Sequence, residues 1–472
     1  MTSLLPILPA LLLGVGGMAL LLIGVLAKRE LTGFTTAGAI VLLLLAAWTS
    51  CAAPDGVLFH GLLKTSLFTR FADGVVYLAA AAALVLSLDY NRKEGIARFE
   101  YPILVLFAVL GMVVMISAAD LMTLYIGFEL QSLALYITAA LARDSVRSTE
   151  AGLKYFVLGA LASGLLVYGI SLVYGFAGTT NFTSLAGLLA GGAGYGTVIG
   201  LVFVMVGLAF KISAAPFHMW TPDVYEGAPT SVTALFGTAP KAAAMALFLS
   251  VMTGPFGHLL AQWQMIIEIL AIISMALGGL AAIAQSNIKR LMAYSSIGHM
   301  GYALMGLAAG TEAGIQATLV YIAIYVVMSF GAFACIIAMR RRGQAVETIG
   351  DLAGLAAQRP GFAFALAVFM WAMAGIPPLS GFFGKLYVFA AAFNAGLTTL
   401  AIIGIITSVI SAFYYLRVIK VMYFDAGAPN FDAAPKSVNF IMALGAAATA
   451  LFIFLPAPLL SAADAAAKAL MG

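Results

Sequence analysis

Apolar residues run along this chain in long blocks, with none of the alternation expected of exposed strands. Fourteen blocks of about 18 residues or more can be bounded, at about residues 4–26, 34–52, 71–89, 101–118, 120–141, 150–175, 195–222, 229–253, 262–284, 291–310, 313–339, 361–391, 396–422 and 437–456. A helix rising about 1.5 Å per residue crosses about 30 Å of hydrocarbon in roughly 20 residues, so the blocks predict transmembrane helices. A β-barrel would show shorter, alternating segments. The pattern therefore predicts an all-α polytopic membrane protein, a single transmembrane domain over 1–472. The opening stretch MTSLLPILPALLL lacks a basic leader and a clear small-x-small cleavage site, which predicts a retained first helix.

Two blocks are long and interrupted. The seventh contains Pro216 and Pro222, and the twelfth reads AMAGIPPLSGFFGKLYVF, with Pro377 and Pro378 ahead of Lys385. A proline inside a helix removes a backbone donor and crowds the carbonyl four residues back. The carbonyls so freed are those of Ile212, Met373 and Ala374, and at membrane depth they persist only beside a cavity or a partner. Helices 7 and 12 are thus expected to be discontinuous. They lie five spans apart, an odd number, so equivalent helices would cross the bilayer in opposite senses. This predicts two inverted five-helix repeats, over 101–255 and 262–422. Three helices over 1–90, and a C-terminal helix and tail over 437–472, fall outside them.

Composition agrees: 63% of residues are hydrophobic and 9% charged, which does not suit a soluble surface. The net charge of +4 is spread through short loops, and its distribution points to membrane topology and away from nucleic acid. Of the 23 Lys and Arg residues, 16 fall in odd-numbered loops or beside them: Lys28, Arg29, Arg92, Lys93, Arg98, Arg143, Arg147, Lys289, Arg290, Arg340, Arg341, Arg342, Arg359, Arg417, Lys420 and Lys436. Lys64, Arg70 and Lys468 fall on the other side. The positive-inside rule then makes the odd loops cytoplasmic and both termini periplasmic. Cys51 and Cys335, far apart and in no metal-binding pattern, are expected to be buried structural thiols. The glycine strings GVGG and GAGYG follow no strand of a βαβ unit, and no segment is suited to flavin, haem or an iron-sulfur cluster. No cofactor or metal is expected in this chain, and redox chemistry by it is not expected either.

The ionisable residues inside the blocks are Glu129, Lys154, Lys211, His218, Lys241, His299 and Lys385. At roughly 2.5 to 3.5 kcal/mol for each charge facing lipid, they should face protein, water or one another. A buried lysine can be switched by desolvation and by neighbouring charge, and histidine passes protons near neutral pH. The set therefore suits proton transfer. Plainer readings stand beside it: Lys154 follows Glu150 by four residues and suits a helix-surface pair or snorkelling. His299 suits a bond to a neighbouring carbonyl. Glu268 and Asp120 are expected at the interface.

The stretches FKISAAPFHMWTPDVYEGAPTSVTALFGTAPKAA (210–243), IKRLMAYSSIGHMGYALMGL (288–307) and GIPPLSGFFGKLYVF (375–389) resemble the antiporter-like membrane subunits of respiratory complex I, over about residues 70–425. The resemblance implies a proton-translocating subunit in a bacterial inner membrane, with FMN, iron-sulfur clusters and quinone handled by partner subunits. It implies contact with other membrane-arm subunits, including neighbouring antiporter-like and small membrane subunits, and with membrane lipids. It implies Glu129 as a fifth-helix glutamate paired with Lys154, and Lys211 as the central carrier of an input half. His218 and Lys241 would connect the central axis, and Lys385 would serve the output half, with His299 in a family stretch between them. Two other readings remain open: a subunit of a multisubunit cation/proton antiporter, and a purely structural membrane anchor.

Overall fold

The computed structural model describes residues 5–27, 30–427 and 430–472, so Lys28 and Arg29 of the loop tally lie outside the described residues. Twenty α-helices follow one another: α1 Leu8–Leu26, α2 Thr32–Ala52, α3 Leu67–Lys93, α4 Glu100–Ile116, α5 Leu121–Ala139, α6 Val146–Ala177, α7 Phe182–Leu189, α8 Tyr195–Ile212, α9 Trp220–Gly227, α10 Thr230–Phe236, α11 Ala239–Thr253, α12 Leu260–Ile283, α13 Ile288–Ala308, α14 Glu312–Ala338, α15 Leu355–Gln358, α16 Pro360–Ala374, α17 Ser380–Asn394, α18 Thr398–Phe424, α19 Lys436–Leu451 and α20 Ala457–Met471. Among the described residues two small antiparallel hairpins join these helices, β1 Gly56–Leu58 with β2 Leu63–Thr65, and β3 Arg340–Arg341 with β4 Gln344–Ala345. Among the described residues, eleven helical stretches are long and apolar enough to cross a membrane, while α4 and α16 are shorter apolar helices.

Local chemistry sets the ends. Ser66 and Thr69 form a reciprocal capping box at α3, and the Asp120 carboxylate accepts from the backbone N–H groups of Met122 and Thr123 at the start of α5. Asn287 does the same for Lys289 and Arg290 at α13. Helices apolar on every face belong at the centre of a bundle. The stretch Thr230–Thr253 is wholly buried and α14 nearly so, whereas α19 faces mostly outward. Backbones touch where glycines meet: a Cβ on Gly111 would sit 2.4 Å from the nitrogen of Gln131 on α5, and one on Gly278 would sit 2.5 Å from the nitrogen of Gly298 on α13.

Two expectations need correction, those for the eighth block and for Cys51, and the tail takes a definite form. The eighth block is interrupted: Gly237 and Thr238 separate α10 from α11, whose first turn holds Pro240 and Lys241. Proline favours a helix start, so the chain begins a new helix there. The C-terminal tail is largely helical, as α20, which packs on α3 and α14. Cys335 is buried but Cys51 is exposed. Cys51 falls one position beyond the buried stripe of α2, formed by Thr32, Thr36, Ala39, Leu43, Ala46 and Ser50.

Candidate functional site

The seventh block breaks where its prolines predict. Helix α8 ends at Ile212, Ser213 takes a left-handed conformation, and α9 begins at Trp220. The polar backbone at the break is satisfied from nearby: the Trp220 indole N–H donates to the Phe210 carbonyl at 3.1 Å, and the Ala215 N–H donates to Ser274 Oγ on α12 at 2.8 Å. Lys211, in the last turn of α8 and 3% exposed, reaches α5. Its Nζ donates to Ser132 Oγ at 2.7 Å and lies 4.7 Å from the centre of the Phe128 ring. Glu129, one turn from Ser132, accepts from Ser163 Oγ on α6, which also meets the Tyr125 hydroxyl at 3.2 Å.

Lys241 is 1% exposed. Its Nζ donates to Ser296 Oγ on α13 and lies 5.4 Å from the centre of the Tyr225 ring. Ser296 bonds the Tyr325 hydroxyl on α14 at 2.7 Å. One turn further along α13, His299 holds two tyrosines, Nδ1 to the Tyr321 hydroxyl at 2.6 Å and Nε2 to the Tyr415 hydroxyl at 3.1 Å. Its ring centre lies 5.2 Å from that of Tyr325, and Tyr415 bonds Ser295 at 2.5 Å.

Lys385 closes the row at the second break. Helix α16 ends at Ala374, Gly375 takes a left-handed conformation, and α17 starts at Ser380. Lys385 Nζ donates to the Ala374 carbonyl, one of those the prolines were expected to free, at 3.0 Å, and to Ser408 Oγ on α18 at 2.8 Å. It lies 4.8 Å from the centre of the Tyr302 ring, three residues beyond His299 on α13. The structure thus joins Lys241, His299 and Lys385 through hydroxyls and ring contacts on α13 and α14.

Lys211 stands apart from that group, since among the described residues no hydrogen-bonded chain links it to Lys241. Among the described residues, polar side chains without a protein partner cluster about the break: Ser213 on it, Thr221 in the first turn of α9, Gln131 beside Ser132, and Tyr225 under Lys241. Such buried groups are anchoring points for internal water. His218 lies on the non-helical segment, half-buried, and is hydrogen-bonded to neither Lys211 nor Lys241 among the described residues.

Lys154 belongs to a different assembly. Its side chain is 41% exposed and pairs with Glu150 at 2.7 Å and Asp223 at 2.8 Å. Glu129 meets α6 at Ser163, nine residues further on and so roughly 13 Å along the helix axis, which keeps the two apart. From Asp223 the ion pairs continue to Arg290 (2.7 Å), Glu226 (3.1 Å), Arg147 (3.4 Å), Glu347 (3.5 Å) and Lys289 (2.9 Å). Cavities of about 130 and 420 Å³ border this cluster. Lys289, expected only as a loop charge, is 2% exposed and also donates to the carbonyls of Glu226 and Ala228. Burial pushes the Glu347 carboxyl up, but the Lys289 charge, hydrogen bonds from Lys289 and Asn287, and the Arg147 charge together hold it below its ordinary value of 4.5. A carboxylate so held contributes stability above about pH 4.5, and that contribution is lost as acid takes the pH down through its folded value. Glu347→Gln keeps the shape and removes the counter-ion of Lys289. It is expected to cost about 1–3 kcal/mol, read as a fall in the thermal midpoint at pH 7 that shrinks below pH 4.

The family model described as NADH:quinone oxidoreductase/Mrp antiporter, TM, matches residues 118–411. NADH-quinone oxidoreductase subunit N 1 of Acidiphilium cryptum is 64% identical, covering 100% of this chain and 99% of its own. A chain in the structure of respiratory complex I from Thermus thermophilus superimposes with a TM-score of 0.83 at 31% identity, over 97% of this chain and 99% of that one. A chain of the Mrp complex from Dietzia shares the fold, with a TM-score of 0.85 at 21% identity over the whole of both chains.

Proposed function

Since the chain belongs to the NADH-quinone oxidoreductase subunit N family of antiporter-like membrane subunits, we propose that it moves protons across the bilayer along the row Lys211, Lys241, His299 and Lys385. The observation that carries this reading is the buried connection from Lys241 through Ser296 and Tyr325 to His299 and its tyrosines, ending at Lys385 on a helix break. A hydroxyl or imidazole accepts a proton on one side and releases one on the other. Water anchored around the α8 break bridges Lys211 to Lys241, with Glu129 setting the local field at Lys211 and His218 flanking the break. Lys154 acts from the ion-pair cluster, modulating access at that end.

The chain serves as a membrane-arm subunit of an NADH:quinone oxidoreductase. FMN, iron-sulfur clusters and quinone are handled by partner subunits, and this chain performs no electron transfer itself. Its neighbours are other antiporter-like and small membrane subunits, in a bacterial inner membrane. Both termini face the periplasm. In support, Lys64 lies beside the end of α20, whereas Glu94, Arg143, Arg147 and Lys289 gather around one cavity at the other end of α3. The two five-helix units are inverted repeats, a reading supported by the glycine contact of the first helix pair in each and by the paired breaks.

Lys211→Ala in the assembled complex tests the row, with quinone reduction and proton release measured together. Lost translocation with retained assembly is expected. Wild-type stoichiometry at normal turnover would remove Lys211 as an obligatory carrier, and failure to assemble with every neutralised lysine would favour the structural anchor.

A further inference from the structure

The first turns of α3 hold a carboxyl that the row above does not use, outside the residues the family model matches. Asp73 is 5% exposed, and its Oδ1 has no hydrogen-bond partner among the described residues. Arg70, one turn earlier, is committed elsewhere, to the exposed Asp55 at 2.5 Å and to the Ala53 carbonyl. Thr69 is committed to its capping box. Asp73 borders a cavity of about 40 Å³ between α1, α2, the first hairpin, α3 and α4, lined also by Ser50, Thr65, Arg70 and Ser117. Ser50 and Ser117 bring side-chain hydroxyls to this lining. Tyr77 lies one turn deeper on α3, and its hydroxyl is likewise buried without a partner. Among the described residues the remaining lining is apolar apart from the capping Thr69, and Arg70 is the one cation these residues bring to the cavity.

We propose that Asp73 is a proton-binding site at the membrane face opposite the ion-pair cluster, exchanging through this cavity and handing inward to Tyr77. Twenty residues separate it from Lys93, whose end of α3 flanks the cluster, which is about 30 Å along the helix. An uncompensated buried carboxylate costs several kcal/mol, and a bound proton removes that cost. The cavity has room for water, which carries the proton between the carboxyl and the surface ion pair. The site rests on the proton-transfer reading only for the use made of the bound proton.

The test uses the assembled complex in membrane vesicles, treated with dicyclohexylcarbodiimide and read by peptide mass analysis. The reagent needs the protonated acid: the O–H proton passes to a carbodiimide nitrogen, the carboxylate oxygen adds to the central carbon, and the O-acylisourea rearranges to a stable N-acylurea. An adduct at Asp73, absent in Asp73→Asn, is expected. No adduct there, while other membrane carboxyls of the same complex react, overturns the site. Protection by sodium but not by choline at fixed pH overturns it in favour of a metal cation. Asp73→Asn is also expected to keep quinone reduction and lower the proton-to-electron ratio, and an unchanged ratio removes Asp73 from the path. An adduct at Asp73 together with a wild-type ratio in Lys211→Ala would leave the site standing and the lysine row refuted.

Discussion

Lys241→Met is expected to abolish proton translocation through this subunit while the complex still assembles. Lys241 sits between the α8 break and the His299 group, and no other ionisable side chain contacts Ser296 from α11. Loss of a positioned acid or base slows proton transfer by about 10²-fold or more, so the proton-to-electron ratio should fall by this subunit's whole share. Stability should change little. Methionine has a similar volume, its presence relieves the desolvation of a buried ammonium, and Ser296 keeps its bond to Tyr325, so the cost should stay below about 1.5 kcal/mol. Proton release by vesicles during NADH oxidation, read with a pH-sensitive dye against quinone reduction, checks it. A wild-type ratio would sink Lys241 as a carrier.

Gly381→Ala should have the largest structural effect. A Cβ on Gly381, in the first turn of α17, would lie 1.9 Å from the Ala372 carbonyl oxygen of α16 and 2.7 Å from its carbon. Backbone cannot yield there as a side chain would, so the two halves of the broken helix must separate. The strain should reach about 3 kcal/mol, at the upper end for overpacking. Separation also draws Lys385 away from the Ala374 carbonyl, so translocation should fall along with the thermal midpoint of the complex. An unaltered midpoint, measured on the purified complex, would show that the junction absorbs the methyl without separating.

How much of this was legible beforehand depended on whether a residue had any other reason to be where it is. A lysine inside an apolar run has none, so Lys211, Lys241 and Lys385 were legible, and paired prolines marked both breaks. The tyrosines were not, because Tyr302, Tyr321, Tyr325 and Tyr415 are ordinary in membrane helices. A weak signal did exist: Ser295, His299 and Tyr302 recur at four and three residues, a polar stripe through the middle of α13. Lys289 looked like a loop charge because its partner Glu347 lies 58 residues away. The two meet only because the loop after β4 pairs backbone with the start of α13, Ile288 N–H to the Glu347 carbonyl and Ile349 N–H to that of Ser286. The pairing of Lys154 with Glu129 required depth, which residue type alone does not carry. Asp73 escaped notice as one acid near the end of a long block.

The hold on Lys385 separates position from charge. A protonated amine has three N–H donors and a neutral one has two, and two are what the Ala374 carbonyl and Ser408 consume. The nitrogen can give up its proton without losing either tether. Its remaining valence then alternates between an N–H and a lone pair at one fixed point in space. The broken helix in this sense works as a vice: it grips the amine by two contacts that either charge state can make, and leaves free the direction in which charge is exchanged.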